Sequence, residues 1–315
     1  MANPTHMDQG LRDTARIAFW QGFAALPSLF DGIASVEPSN ADQETYAWLA
    51  YAAPVREFSG QRVKQGIPQV TYSIVNKKWE ATTTFDYLVR KFGKNNVVAK
   101  NVMQMGQKAR EHRDKLLTEQ LQLGVSQVCY DGQFFFDTDH SERGGAIYTT
   151  SQDNDKTSVA AAGSAVPTDL EFADAMRTAQ STLFGYKDGA GDPFWPGDAP
   201  TFVCMVPAIN MTVARQVATN DYLTGQVSND LKGTFIVRVN PFMTHVVNTT
   251  TSFVLFNASH PQKAMILQMA EDVSLEDDMG GDDEFNTKDI SFGSFALYNA
   301  GYGQWRTALS HIFTT

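Results

Sequence analysis

The sequence predicts an α+β fold, and three observations predict it. Apolar residues recur at three- and four-residue spacing over residues 8–26 and 96–123. Between these stretches, and again from Ile290 to Leu309, apolar and polar residues alternate. Strand and helix patterns follow one another without the strand–helix–strand regularity of a doubly wound parallel sheet.

In residues 8–26, Leu11, Ala15, Ala18, Phe19, Phe23 and Leu26 form one face, Asp8 is the candidate N-cap and Pro27 ends the run. Asp31 to Gln43 reads as a turn-rich extended connection. A helix followed by a loose polar segment fits an arm reaching to a neighbour as well as a helix packed on its own domain. Residues 55–88 switch to period two. Val70, Tyr72 and Ile74, then Trp79, Ala81, Thr83 and Phe85, alternate with polar residues after the turn Lys64-Gln65-Gly66-Ile67-Pro68. With an earlier strand near 55–63 they predict a long hairpin, polar on both faces. A two-stranded ribbon is marginal alone, so it needs a partner surface in this chain or another.

Residues 96–123 predict the longest helix, roughly 40 Å at ~1.5 Å per residue. Asn95 or Asn96 is its cap, and Val98, Val102, Met105, Ala109, His112, Leu116 and Leu123 form its stripe. Lys108, Arg110, Glu111, Arg113, Asp114, Lys115 and Glu119 stand opposite, and Gly124 takes the C′ position. Residues 141–167 read as loop. Thr168-Asp169-Leu170-Glu171 is a capping box opening a helix, and 185–200 is a second loop. A buried strand follows at 202–206, a helix from Pro207 to Ala218, strands at 235–239 and 251–256, a short helix at 261–269, and strand from 290 to 309.

With 315 residues, 43% of them hydrophobic, the chain buries a large core, and its length suggests about two domains. No apolar run spans a membrane, and no basic region with an apolar core opens the chain as a signal peptide would. Cys129 and Cys204 read as buried free thiols. A net charge of −10 argues against a dedicated nucleic-acid binder, but does not exclude a container for DNA.

Catalytic motifs are weak. Asp137, Asp139 and His140 are metal-ligand types, but the histidines (His6, His112, His140, His245, His260, His311) show no HExxH or HxH spacing and no second cluster completes a site. The acidic run from Glu271 to Glu284 lacks calcium-loop spacing and reads as a solvated loop. No phosphate-binding glycine frame and no GxSxG elbow occurs. No catalytic, cofactor or metal residue is assigned.

One ordered set of motifs is more specific. It comprises Tyr46-Ala47-Trp48-Leu49, Tyr72-Ser73-Ile74-Val75-Asn76-Lys77 with Glu80, Cys129-Tyr130-Asp131-Gly132-Gln133 with Phe135-Phe136-Asp137, and Phe202 to Pro207. It continues with Phe253-Val254-Leu255-Phe256, Pro261-Gln262-Lys263, Phe292-Gly293 and Ala300-Gly301-Tyr302-Gly303-Gln304-Trp305. Over about residues 10–310 this set resembles the major head subunit family of Mu-like tailed phages.

The resemblance implies an HK97-type capsid fold: an N-terminal arm (1–50), an extended β-hairpin loop (51–92), a peripheral domain with a spine helix (93–185), an axial domain (186–240) and closing strands (241–315). It implies a structural protein, not an enzyme, assembling with itself into hexamers and pentamers of an icosahedral virion shell in the host bacterial cytoplasm. Implied partners are a separate scaffolding protein, a maturation protease, a portal protein, optionally a decoration protein, and double-stranded DNA contacted non-specifically, with no membrane. The sequence begins almost at the arm, so the expectation is that scaffolding is a separate protein or that a scaffolding segment was already removed. Expected inter-subunit contacts are Phe19, Trp20 and Phe23 in the arm and Arg62, Lys64, Lys77, Lys78 and Trp79 in the loop; no acceptor for a lysine cross-link is identifiable. The rival readings are an encapsulin-like compartment shell and a metal-dependent hydrolase using Asp137, Asp139 and His140.

Overall fold

A computed structural model describes residues 4–46, 72–141, 150–160, 167–243, 251–278 and 289–314, with positions 49, 55, 57, 58, 60 and 148. Its helices are α1 (Pro4–Ala24), α2 (Tyr87–Lys91), α3 (Asn95–Gln122), α4 (Asp169–Gly185) and α5 (Met211–Thr219). The strands of the first half are β1 (Ala34–Pro38), β2 (Gln43–Thr45), β3 (Ser73–Val75), β4 (Lys77–Phe85) and β5 (Asp155–Val159). Then come β6 (Phe202–Val206), β7 (Tyr222–Leu223), β8 (Val227–Ser228), β9 (Phe235–Val239), β10 (Thr251–Asn257), β11 (Met265–Asp277), β12 (Ile290–Tyr302) and β13 (Ala308–Thr314).

Two mixed sheets organise the chain. One runs β1-β11-β12-β4, with β1 parallel to β11 and the other pairs antiparallel. The other runs β5-β13-β10-β6-β9, parallel at both edges and antiparallel inside. Residues Tyr302 to Ala308 pass from the first sheet to the second, and Trp305 and Arg306 on that passage are buried. In β12, Ile290, Phe292, Ser294, Ala296, Tyr298 and Ala300 are buried in strict alternation, as a strand covered on one face requires. β6, inside its sheet, is buried at all five positions and shows no alternation.

Helix α3 lies on the first sheet through Val98, Val102, Met105, Leu116, Leu117 and Leu121, all buried. Helix α1 packs on α3, so the arm helix rests on its own chain. Two glycines make this possible. A Cβ on Gly22 would collide with the Met103 carbonyl, and one on Gly106 with the Phe19 carbonyl. The backbones therefore touch, and Leu11, Ala15 and Phe19 are fully buried.

Several expectations are corrected. α1 begins at Pro4, so Asp8 lies inside it. The 31–43 connection contains β1, whose hydrogen bonds go to β11 far along the chain. β4 pairs with β12 rather than within a free ribbon, and β3 pairs with β2, so the partner surface is in this chain. Of the earlier strand expected near 55–63, positions 55, 57, 58 and 60 are described and none of them is in a strand; the rest lie outside the described residues. Lys94, with no side-chain cap, precedes α3 in place of an asparagine. Gly124 belongs to a 3₁₀ turn and is required because a Cβ would meet the Phe136 ring at 2.7 Å. Leu123, placed in the stripe, is 43% exposed, while Arg113 and Asp114, placed on the solvated face, are buried.

The 141–167 loop contains β5, and the helix expected at 261–269 is replaced by the start of β11. Met265 to Gln268 lie between β1 and β12, and burial on both faces removes the alternation that marks a strand. Glu271 to Asp277 belong to β11 rather than to a loop, and 279–288 lie outside the described residues. A 3₁₀ turn at Trp305–Thr307 breaks the strand expected from 290 to 309. The capping box of α4 forms as expected, Thr168 Oγ1 accepting from Glu171 N at 3.3 Å and Glu171 Oε2 from Thr168 N at 2.7 Å.

The second sheet holds an acid-sensitive group. His311 on β13 stacks on Phe253 with ring centroids 5.1 Å apart and planes nearly parallel. Burial, and then the nearby Lys156, push its pKa from 6.5 down to about 4. The unfolded chain takes up this proton first as pH falls, so this contribution is intact above pH 6.5 and is lost between there and about pH 4. The loss amounts to about 3 kcal/mol. Melting measured at pH 7 and pH 4.5 should show a smaller acid drop in His311→Phe than in the wild type; equal drops would refute the assignment.

Candidate functional site

The expected contact residues divide between core and surface. Arg62 and Lys64 lie outside the described residues. Phe19 is fully buried in the chain's own core, out of a neighbour's reach. Phe23 is half-buried beneath the guanidinium of Arg113, 5.0 Å from its ring centre. Arg113 also lies 5.5 Å from the Tyr298 ring and pairs with Asp272, which binds α1, α3 and β11 together. Trp20 is 45% exposed, and Lys77 and Lys78 on β4 are exposed. Trp79 donates from Nε1 to the Tyr298 carbonyl at 2.8 Å and packs at a tilt against His112, ring centroids 4.3 Å apart.

Trp79, Ala81, Ala109, His112, Phe295 and Tyr298 line a groove of about 500 Å³ between α3 and the sheet. Burial, followed by Lys115, lowers the pKa of His112. The groove has aromatic walls and a rim of mixed charge (Glu80, Lys108, Glu111, Lys115). It supplies packing area rather than a reactive group.

The turn after α3 holds a buried polar cluster. Asp131 Oδ1 accepts from Cys129 Sγ at 3.0 Å and from Gln133 N at 3.1 Å. The His140 ring bridges Asp131 Oδ2, 2.6 Å from Nδ1, and Asn154 Oδ1, 3.1 Å from Nε2. Trp305 stacks on that ring with centroids 4.0 Å apart. Asn154 Nδ2 donates to the Phe135 carbonyl at 2.9 Å and the Ala308 carbonyl at 3.3 Å, and its oxygen accepts from Asp137 N at 2.9 Å. Four separate segments are thereby tied at one point.

Burial raises the Asp131 pKa, but bonds from His140, Cys129 and the Gln133 N–H outweigh it and the net shift is downward. Burial, then the Asp131 charge, drive the Cys129 thiol well up, away from the reactive thiolate. Cys204 is likewise a buried free thiol.

The hydrolase reading needs Asp137, Asp139 and His140 to converge on one point; Asp137 and Asp139 interact with each other, but the two do not join His140 in a ligand cluster among the described residues. Asp137 Oδ2 accepts from Phe134 N at 3.2 Å, and Asp139 Oδ1 from Gln133 Nε2 at 2.8 Å. The ligand-type side chains that converge are Cys129, Asp131 and His140. They do not fit a metal as they stand. Tetrahedral zinc holds nitrogen and oxygen ligands roughly 3.3 Å apart, whereas Nδ1 and Oδ2 are hydrogen-bonded at 2.6 Å. The sequence reading places Asp131 in a motif without giving it a site role, and it misses Asn154. The Asp131-Gly132 turn marks the first, whereas nothing near Asn154 signals a buried amide.

Comparisons with known proteins agree with this structural reading. Residues 9–168, half of the chain, match the family model of the Mu-like prophage major head subunit gpT. The Mu-like prophage FluMu major head subunit of Haemophilus influenzae is 37% identical over 122 residues, 39% of this chain and 40% of that protein. The major capsid protein of Escherichia phage Mu is 33% identical over 132 residues, 42% and 43% respectively. The matched segments thus span less than half of either relative.

Among solved structures, a chain of the bacteriophage JBD30 procapsid superposes with a TM-score of 0.58 at 20% identity, covering 98% of this chain and 75% of that one. A chain of the bacteriophage PhiM1 mature capsid gives 0.57 at 12%, covering 92% and 88%. At such identities these likenesses establish the fold, which is the HK97-type capsid fold. With that fold throughout and the family model matching half of its length, the chain belongs to the Mu-like prophage major head subunit gpT family.

Proposed function

We propose that the chain is the major capsid subunit of a tailed phage or Mu-like prophage, acting by self-assembly into hexamers and pentamers of an icosahedral shell. The family match over residues 9–168 carries this reading. The geometry supports it, because the described residues present aromatic surface and buried structural ties rather than a reactive group. Proposed partners are other copies, a scaffolding protein, a maturation protease, a portal protein, a decoration protein and non-specifically contacted double-stranded DNA. The proposed setting is the virion, assembled in the host cytoplasm. No helix among the described residues is long and apolar enough to cross a membrane.

The proposed organisation has an arm at 1–50, an extended loop at 51–92, a peripheral domain at 93–185, an axial domain at 186–240 and closing strands at 241–315. Tyr46 N donates to the Tyr72 carbonyl at 3.0 Å, so the excursion from 47 to 71 leaves and returns at one point.

Size exclusion and negative-stain microscopy of the purified chain test the reading. Closed shells, or five- and six-fold rings, are expected; a monomer that stays monomeric even with a scaffolding partner would overturn it. Deleting residues 60–68 should abolish closed shells without unfolding the subunit. Normal shells from that variant would remove the loop from the assembly energetics.

A further inference from the structure

One end of the four-stranded sheet carries two surfaces of opposite character. β4 finishes there at Phe85, opposite Ile290 of β12, and the chain turns into α2 and the start of α3. β11 finishes at the same end, with Asp277 opposite Phe292 and Asp278 N donating to the Ser291 carbonyl at 3.0 Å.

The α2–α3 corner is basic and apolar. Lys94 and Lys100 are exposed, and Leu88, Phe92 and Val97 are 51%, 65% and 44% exposed. Three large apolar side chains are thus exposed within ten residues of chain, apolar surface that a docking partner would cover. The electrostatics point the same way. Lys94 stands at the N-cap of the 28-residue α3 without a side-chain cap, and the first turn holds no acidic residue. Lysine charge and the positive end of the helix dipole therefore add, where an isolated helix favours an acid. The β11 end is the counterpart, with Glu276 exposed and Asp278 partly exposed. Asp277 beside them is tied to Arg12 of α1 at 2.8 Å, which fixes the strand end in place.

We propose that the α2–α3 corner of one copy docks on the acidic β11 end of a neighbouring copy, burying Leu88 and Phe92 between them. The occupant is a second copy because both complementary surfaces belong to one chain and sit at one end of it. Each copy gives its corner to one neighbour and its acidic end to the other, a head-to-tail contact that closes into a ring around an axis near this end. The contact rests on the shell reading above and adds the residues that would set its register.

Charge reversal with rescue tests it. One variant combines Lys94→Glu with Lys100→Glu, a second combines Glu276→Lys with Asp278→Lys, and a third carries all four. All are assembled beside the wild type and counted by sedimentation and microscopy, with melting curves as the folding control. Each two-site variant should melt like the wild type and yield at least about ten-fold fewer shells, because like charges then face each other. The four-site variant should recover to within about two-fold of the wild type, every contact being restored with inverted sign. Shells indifferent to the reversals, or a folded four-site variant as impaired as its parents, would overturn this contact and leave the shell reading standing. A wild type that forms no assembly even with a scaffolding partner would overturn the shell reading and the contact together.

Discussion

Asp131→Ala is expected to cost the isolated subunit roughly 3–5 kcal/mol, the range for removing one partner of a buried charged cluster. The carboxylate accepts from Cys129, the Gln133 N–H and His140, and of these Cys129 and His140 stay buried, without that acceptor, once it is gone. The damage spreads through the ring of His140 to Asn154, and from there to the carbonyls of Phe135 and Ala308. Urea unfolding gives the loss directly. Asp131→Asn keeps the shape and part of the bonding, so an intermediate loss is expected there. A loss below about 1 kcal/mol for Asp131→Ala would mean that the cluster is not a structural tie. The depressed Asp131 pKa adds a pH signature. Its contribution is complete above the ordinary carboxylate range near 4 and falls away as pH drops through the lower folded value.

Gly106→Leu should detach the arm helix. The Cβ alone collides with the Phe19 carbonyl, and backbone, unlike a flexible side chain, has no rotamer to yield. The helices must separate, exposing Leu11 and Phe19, each worth about 1.5–3 kcal/mol of burial. A loss of about 3–6 kcal/mol is therefore expected, together with rapid tryptic cleavage after Arg12 and Arg16. Gly22→Leu should behave alike, since its Cβ meets the Met103 carbonyl. Gly10→Ala is the control. Nothing lies within 4 Å of its Cβ, and exchanging a helical glycine for alanine should be neutral or stabilising by up to about 1 kcal/mol. Protease resistance of residues 4–24 in Gly106→Leu would refute the close crossing.

Where local pattern and tertiary burial agree, the fold is legible in the sequence. The α3 stripe from Val98 to Leu116, the alternation of β12 and the Thr168–Glu171 box all satisfy their surroundings with residues a few positions apart. Long-range pairing conceals the rest. β1 is called a strand only by its hydrogen bonds to β11, some 230 residues later. The opening of β11 lost its alternation because neighbours cover both faces. Arg113 and Asp114 look like solvent residues until Phe23, Tyr298, Asp272 and Ser28 close around them. The candidate site follows the same division. Lys77, Lys78 and Trp20 are exposed as a contact surface requires, whereas the Asp131–His140–Asn154 tie depends on a turn, a bridge residue and a loop residue meeting, which spacing along the chain does not encode.

The position of β13 has a consequence for synthesis. Residues 308–314 lie between β5 and β10, so they divide one sheet into parts that cannot hydrogen-bond without them. The β1–β11 pair imposes a similar wait on the other sheet. A nascent chain on the ribosome therefore carries two unfinished sheets until residues 290–314 emerge, and contacts this distant in sequence form slowly. Polysome-bound chains would be dependent on chaperones and unable to engage one another through native surfaces. Premature association of half-made subunits is thus discouraged by the order in which the strands are made.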